Sequence, residues 1–192
     1  MVFYEKKSFI VNCFNFFTYF VFIKYFYVKI SHLKVATIQY VLTLDSGEVV
    51  DSTTPENPFA FILGIGSLLP EFEKNMEGLQ AGDEFAFTLT PENGYGVFDE
   101  GNIAAYPTQM FRDAQVPKEM MVVGQTMTFR SDDGHMIQGI LMEIGPDEVI
   151  VDFNHPLAGE TLHFKGSVSE VREPTAEELD HGHVHGPGGH HH

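Results

Sequence analysis

From Lys34 onward the apolar residues fall largely on alternate positions, in short runs separated by turn residues, and one stretch between them switches to helical spacing. In KVATIQYVLTL the residues Ala36, Ile38, Tyr40, Leu42 and Leu44 share one face of a strand, and DSG, ending at Gly47, turns the chain into EVVDST. PFAFIL reads as another short strand. GIGS then leads into a helix with Ser67 as its expected N-cap, Pro70 in its first turn and Gly78 as its stop. Leu69, Phe72, Met76 and Leu79 carry the helical period. GDEFAFTLTPE alternates with Phe85, Phe87 and Leu89 inward until NGYG breaks it. From Ile103 the pattern begins loosely, with Pro107 and Pro117, and continues as three β runs separated by DDG and GPDE, a meander ending near Asp152. TLHFKGSVSEV forms a last strand ahead of the acidic helical turn TAEELD. The expected class is α+β, mostly β.

The chain has 192 residues, 43% of them hydrophobic and 20% charged, enough for a folded core. Its 11 basic residues stand against 27 acidic ones, and the formal charge of -16 argues against nucleic acid as a partner. The single cysteine, Cys13, allows no internal disulfide, so a reducing compartment is permitted. No phosphate-cradling loop, dinucleotide fingerprint, serine elbow or cysteine nucleophile is present. Gly64 and Gly66 of LGIGS read as a turn.

Residues 1–33 have a different character. They hold 12 of the 25 Phe and Tyr residues and no Gly, Pro or Ala. Phe9 to Tyr27 is nearly long and apolar enough for a membrane helix flanked by Lys6 and Lys7, yet it contains Asn12, Asn15 and Lys24. Three readings follow: a misplaced start codon, with Leu33 as the true start, a signal anchor through residues 9–27, or an unusual soluble extension. Each leaves the fold to begin at Lys34.

IQYVLTLDSGEVVDST, NPFAFILGIGSLLPEFEKNMEGLQAGDEFAFTLTPENGYG and the returning TLHFKGSVSEV together resemble the FKBP-type peptidyl-prolyl isomerases. The sixty or so residues between ENGYG and TLHF, closed by VDFNHPLAGETLHF, narrow the resemblance to the SlyD branch, which carries a chaperone domain inserted in the isomerase flap. The resemblance implies an antiparallel half-barrel wrapped on one helix, formed by residues 34–102 and 153–172, with an inserted small β-rich flap domain over 103–152. A disordered, acidic then His-rich tail follows over 173–192.

It implies site residues as well. Tyr40 sits on the first strand, Asp51 after the hairpin, and Phe59 at the start of the next strand. Leu68 and Leu69, at the helix start, offer backbone groups to substrate, and Phe72 forms the pocket floor. Tyr95 of GYG and Phe164 of TLHF complete the wall. Taken singly, each of these reads as a core residue, and Asp51 as a turn cap. Val50 stands where many family members have an aromatic. No cofactor is needed for isomerisation. The implied partners are unfolded or proline-containing polypeptides and metalloenzyme maturation proteins, and the implied compartment is the cytoplasm.

Six of the eight methionines lie in the insert: Met110, Met120, Met121, Met127, Met136 and Met142. Flexible, polarizable side chains suit adaptable binding of apolar segments, as a chaperone surface requires. The tail offers His181, His183, His185, His190, His191 and His192, imidazoles that suit nickel, zinc or copper. Nickel is what the resemblance implies; spacing does not select it. His155 and His163 read as structural. Two other classes remain: a metallochaperone or metal store, and a holdase anchored in the membrane by residues 9–27.

Overall fold

The computed structural model describes residues 28–131 and 133–184, which divide into two units, the second running from Leu89 to Leu162. The apolar run 9–27 and His185, His190, His191 and His192 lie outside the described residues. Among those described, no helix is long and apolar enough to cross a membrane.

The first unit is a five-stranded sheet around one short helix. Strands β1 (Val35–Thr43), β2 (Val49–Ser52), β3 (Phe59–Ile62), β4 (Glu84–Leu89) and β9 (Leu162–Arg172) follow the β-branched and aromatic runs. On one edge of β1, β9 pairs antiparallel along its whole length, with Leu42 opposite Phe164 and Tyr40 opposite Gly166. The other edge is shared. β3 covers Val35 to Ile38 and β2 covers Val41 to Thr43, both antiparallel. Tyr40 falls where one partner hands over to the other, and Thr53 fills the gap: its hydroxyl accepts from Tyr40 N–H at 2.8 Å, and its own N–H donates to the Tyr40 carbonyl at 2.9 Å.

Helix α1 (Pro70–Met76) buries Phe72 and Met76. It starts later than the expected Ser67 cap. Pro70 takes the first helical position, where its missing N–H is no loss, and Leu69 stands at the cap without a side-chain bond. Gly64 and Gly66 both have positive φ, as a tight turn between β3 and α1 requires.

The fold begins before Lys34. Ile30 is fully buried, donates to the Leu79 carbonyl at 2.7 Å and accepts from Gly78 N–H at 2.8 Å, while Lys29 bridges to Gln80. The reading of residues 1–33 as lying wholly outside the fold is therefore corrected for residues 28–33. Their aromatic-rich neighbours masked a segment that closes the C-terminal end of α1.

At the other end, helix α3 (Ala176–His181) is held by a capping box between Thr175 and Glu178 and by an ion pair with both Glu178 oxygens, from Arg172 at 2.6 and 2.8 Å.

The second unit carries a four-stranded antiparallel sheet in the order β5-β8-β7-β6, from β5 (Ile103–Pro107), β6 (Thr126–Arg130), β7 (Met136–Ile144) and β8 (Glu148–Asp152). A six-residue helix, α2 (Thr108–Asp113), follows β5 and buries Phe111 against Leu141, Val149 and Val151. This unit is wider than residues 103–152 because its outgoing and returning segments bond to each other. Gly159 N–H donates to Gly96 O at 2.8 Å and Phe153 N–H to Asn102 O at 3.0 Å. The buried Asn154 accepts from Asp99 N–H at 3.1 Å and donates to Asp99 O at 2.9 Å.

Candidate functional site

Five elements of the first unit aim aromatic rings at one place. Alternation along β9 sends Phe164 to the same side as Val168, and along β4 it puts Phe87 beside Phe85. The helical period brings Phe72 round to meet them. Phe72 meets Phe164 edge to face at 5.1 Å between centroids and Phe87 at 5.5 Å, while Phe87 stacks on Phe164 at 5.3 Å. Phe61 of β3 meets the edge of Phe72 at 5.9 Å and stacks on Phe59 at 5.7 Å. Tyr40 closes the circuit, 5.9 Å from both Phe59 and Phe164. Offset and edge-to-face pairs at such separations are each worth about 0.5–1.5 kcal/mol beyond the area they bury.

The rim is polar at one point. Asp51, exposed on β2 and opposite Leu42 in the ladder, accepts a hydrogen bond from the Tyr40 hydroxyl. Asp51 is thus tied across the hairpin to a ring of the cluster and does not act as the turn cap its position suggests. Leu68 and Leu69 are half-buried, and Leu69 O accepts the first helical bond, from Glu73 N–H at 3.1 Å.

The structure therefore gathers Tyr40, Asp51, Phe59, Phe72 and Phe164. Phe61 and Phe87 belong to the same ring cluster and were not among the expected site residues. For Phe87 the signal was the Phe85, Phe87 alternation, which separates faces of a strand but does not distinguish a pocket wall from core. Tyr95 belongs to the second unit, where its ring lies flat on His155, 3.9 Å between centroids and 5° between planes.

No group in this cluster is suited to covalent attack. A cluster of phenyl rings, with one phenol held by a carboxylate at its rim, excludes water and favours apolar groups over charged ones. It offers few hydrogen-bond partners to a dipolar amide.

The second unit has a cavity of about 720 Å³ whose lining includes Tyr106, Met110, Met127, Phe129 and Phe153. Met121 and Met127 pack against the core of this unit, whereas Met110, Met120, Met136 and Met142 are exposed. In the tail, His181 and His183 stack at 5.7 Å. The described residues contain no cluster of three metal-ligating side chains.

Comparison with known proteins gives consistent matches. The family model for FKBP-type peptidyl-prolyl cis-trans isomerases matches residues 28–165. The FKBP-type peptidyl-prolyl cis-trans isomerase SlyD of Aeromonas hydrophila is 41% identical over 162 residues, covering 84% of this chain and 74% of that protein. The SlyD of Vibrio cholerae is 36% identical over 84% of this chain and 78% of its own length. The FKBP-type 16 kDa peptidyl-prolyl cis-trans isomerase of Escherichia coli K12 is 37% identical over 73% of this chain and 91% of its own length.

Proposed function

Because the chain belongs to the FKBP-type peptidyl-prolyl cis-trans isomerases, and among them to the SlyD type, we propose that it turns X-Pro bonds of unfolded polypeptides at the Tyr40, Phe72 and Phe164 cluster while its second unit holds the polypeptide. It is an enzyme of the isomerase class. The observation that carries the assignment of the site is the closed circuit of rings from Tyr40 through Phe59, Phe61, Phe72 and Phe164.

Rotation about an X-Pro bond faces a barrier of about 18–20 kcal/mol, because the planar amide is resonance-stabilised. Uncatalysed exchange takes roughly 10–100 s. The twisted transition state has lost that resonance and much of the charge separation of the amide. A dry aromatic wall therefore disfavours the planar ground state more than the twisted form, and the difference lowers the barrier. Phe72 and Phe164 receive the proline ring. Tyr40, held by Asp51, orients the flanking amides by hydrogen bonding.

Holding is the proposed role of the exposed methionines and the cavity beside them, which offer adaptable apolar contact without a defined sequence preference. His181 and His183, with the four histidines beyond them, would hold a divalent ion, nickel, zinc or copper, which plays no part in bond rotation. The cytoplasm suits a chain whose lone cysteine leaves no internal disulfide to maintain.

Deleting residues 103–152 tests the division of labour. Activity on a short proline peptide should persist while catalysis of a proline-limited refolding reaction falls sharply; equal loss on both substrates sinks it. Nickel titration into the full chain and into one ending at Leu179 tests the tail, and equal affinity would remove it as the site.

A further inference from the structure

His163 joins three elements of the first unit through its two ring nitrogens. It is the second residue of β9 and stands opposite Thr43 in the ladder with β1. Its Nε2 lies 2.6 Å from a carboxylate oxygen of Asp45, in the turn between β1 and β2. Its Nδ1 lies 2.9 Å from the hydroxyl of Thr88 on β4. A carboxylate only accepts, so the ring donates to Asp45 from Nε2 and, when neutral, accepts the Thr88 hydroxyl proton at Nδ1. A hydroxyl accepts as well as donates, so the Thr88 bond persists, with its direction reversed, when the ring is protonated.

The next residue along each strand belongs to the ring cluster. β4 and β9 are neighbours in the sheet, bonded at one end where Val168 N–H donates to Asp83 O at 2.9 Å and Gly82 N–H to Val168 O at 2.8 Å. From Asp83 to Thr88 the chain runs one way and from Val168 to His163 the other, so the strands are antiparallel and Phe87 and Phe164 form the adjoining pair. Successive side chains point to opposite faces: Phe164 is buried and stacks on Phe87 at 5.3 Å, while Thr88 is exposed and His163 partly so. The outer pair stands where β4 ends at Leu89 and β9 begins at Leu162, the part of a ladder most prone to fray. Ring stacks are tolerant, with centroids acceptable from about 4.5 to 7 Å, whereas a hydrogen bond of this kind holds within about 2.7–3.2 Å. The polar pair outside therefore defines the strand offset more narrowly than the rings inside can. Two features stiffen it: Thr88 is β-branched, and Asp45 fixes the plane of the imidazole.

We propose that His163 and Thr88 are positioning residues for the isomerase reaction: their bond, braced by Asp45, sets the offset at which Phe87 meets Phe164 and hence the shape of the wall that receives proline. The inference rests on the reading of the ring cluster as the site of isomerisation. Neither residue touches the peptide, since both lie on the other face of the sheet.

Variants of the full chain test it: Thr88→Val, Thr88→Ser, His163→Ala, the double variant Thr88→Val/His163→Ala, and Phe164→Leu as the check on the site itself. The readouts are kcat and KM on a short proline peptide, the NMR shifts of the Phe87 and Phe164 ring protons, and the urea midpoint. Thr88→Val keeps the shape of the side chain and removes the bond. It should lower kcat roughly three- to tenfold, the equivalent of about one hydrogen bond, move KM less, and shift both sets of ring signals. The urea midpoint should hardly change, because Thr88 is exposed. Thr88→Ser, which retains the hydroxyl, should keep the parent activity. His163→Ala should match Thr88→Val, and the double variant should be no worse than either. If Phe164→Leu is impaired while Thr88→Val and His163→Ala equal the parent, the positioning role falls and the site reading stands. If Phe164→Leu equals the parent, the site reading falls and takes the proposal with it. If Thr88→Val loses activity only in step with its urea midpoint, or Thr88→Ser loses as much, the bond is scaffold alone and the proposal is overturned.

Discussion

Gly166 of β9 lies directly across the ladder from Tyr40 of β1, and the space a side chain would need there is already taken. A Cβ on Gly166 would sit 2.0 Å from the Gln39 carbonyl oxygen, 2.7 Å from Phe85 Cζ and 2.9 Å from Tyr40 Cα. Two of these atoms are backbone and cannot swing aside. Gly166→Ala should therefore destabilise the protein by about 1–3 kcal/mol and reduce isomerase activity, since relief requires β1 to shift at Tyr40. Urea unfolding measures the first effect. A simultaneous Phe85→Leu should not rescue it, because the nearest collision is with the strand itself.

Asp51 supplies a test of site against scaffold. It is exposed, so Asp51→Ala should change stability by no more than about 0.5 kcal/mol. The same change removes the Asp51 acceptor from the Tyr40 hydroxyl and should lower kcat/KM on a proline peptide several-fold, with Asp51→Asn intermediate because it retains an acceptor. A stability loss without an activity loss would return Asp51 to the hairpin.

Glu178 makes acid sensitivity predictable. The Arg172 guanidinium, which bonds both of its oxygens, holds its pKa down from 4.5 to about 2. A depressed carboxylate contributes stability that is present above pH 4.5 and lost as pH falls toward 2. At about 1.4 kcal/mol per pKa unit, the contribution at neutral pH is up to about 3 kcal/mol. Glu178→Gln should be less stable than the parent at pH 7 by an amount of that order, and the gap should shrink to less than half by pH 3. A gap that stays constant between those pH values would mean that the ion pair is not its source.

Ile30 predicts where the folded chain can be cut. It is fully buried, and its backbone joins Leu79 and Gly78. Ile30→Ala should cost about 2–5 kcal/mol. A chain starting at Leu33 should unfold at lower denaturant than one starting at Val28, and coincident unfolding curves would contradict the structure.

Much of the first unit was readable from period alone. β4 alternates along its length, β1 and β9 over part of theirs, and Phe72 and Met76 fall on one face of a helix. Three features were not. Ile30 shares its composition with the apolar run before it, so no local contrast marks it as core. β5 and α2 hide behind Pro107 and Pro117, and a six-residue helix is too short for its period to register. The stack of Tyr95 on His155 joins positions sixty residues apart and leaves no trace in either neighbourhood. The site residues themselves were recognisable only as a joint pattern, since each one separately is indistinguishable from a core aromatic.

That last ambiguity is a property of the molecule. Phe72 and Phe164 are both buried in the core of the first unit and are also the walls of its proposed pocket. The protein has no separate inventory of residues for standing up and for working. Under the proposed assignment, a change that retunes which prolines are accepted also alters the packing of the sheet on its helix, so substrate range would drift only as fast as the rest of the core can absorb the damage.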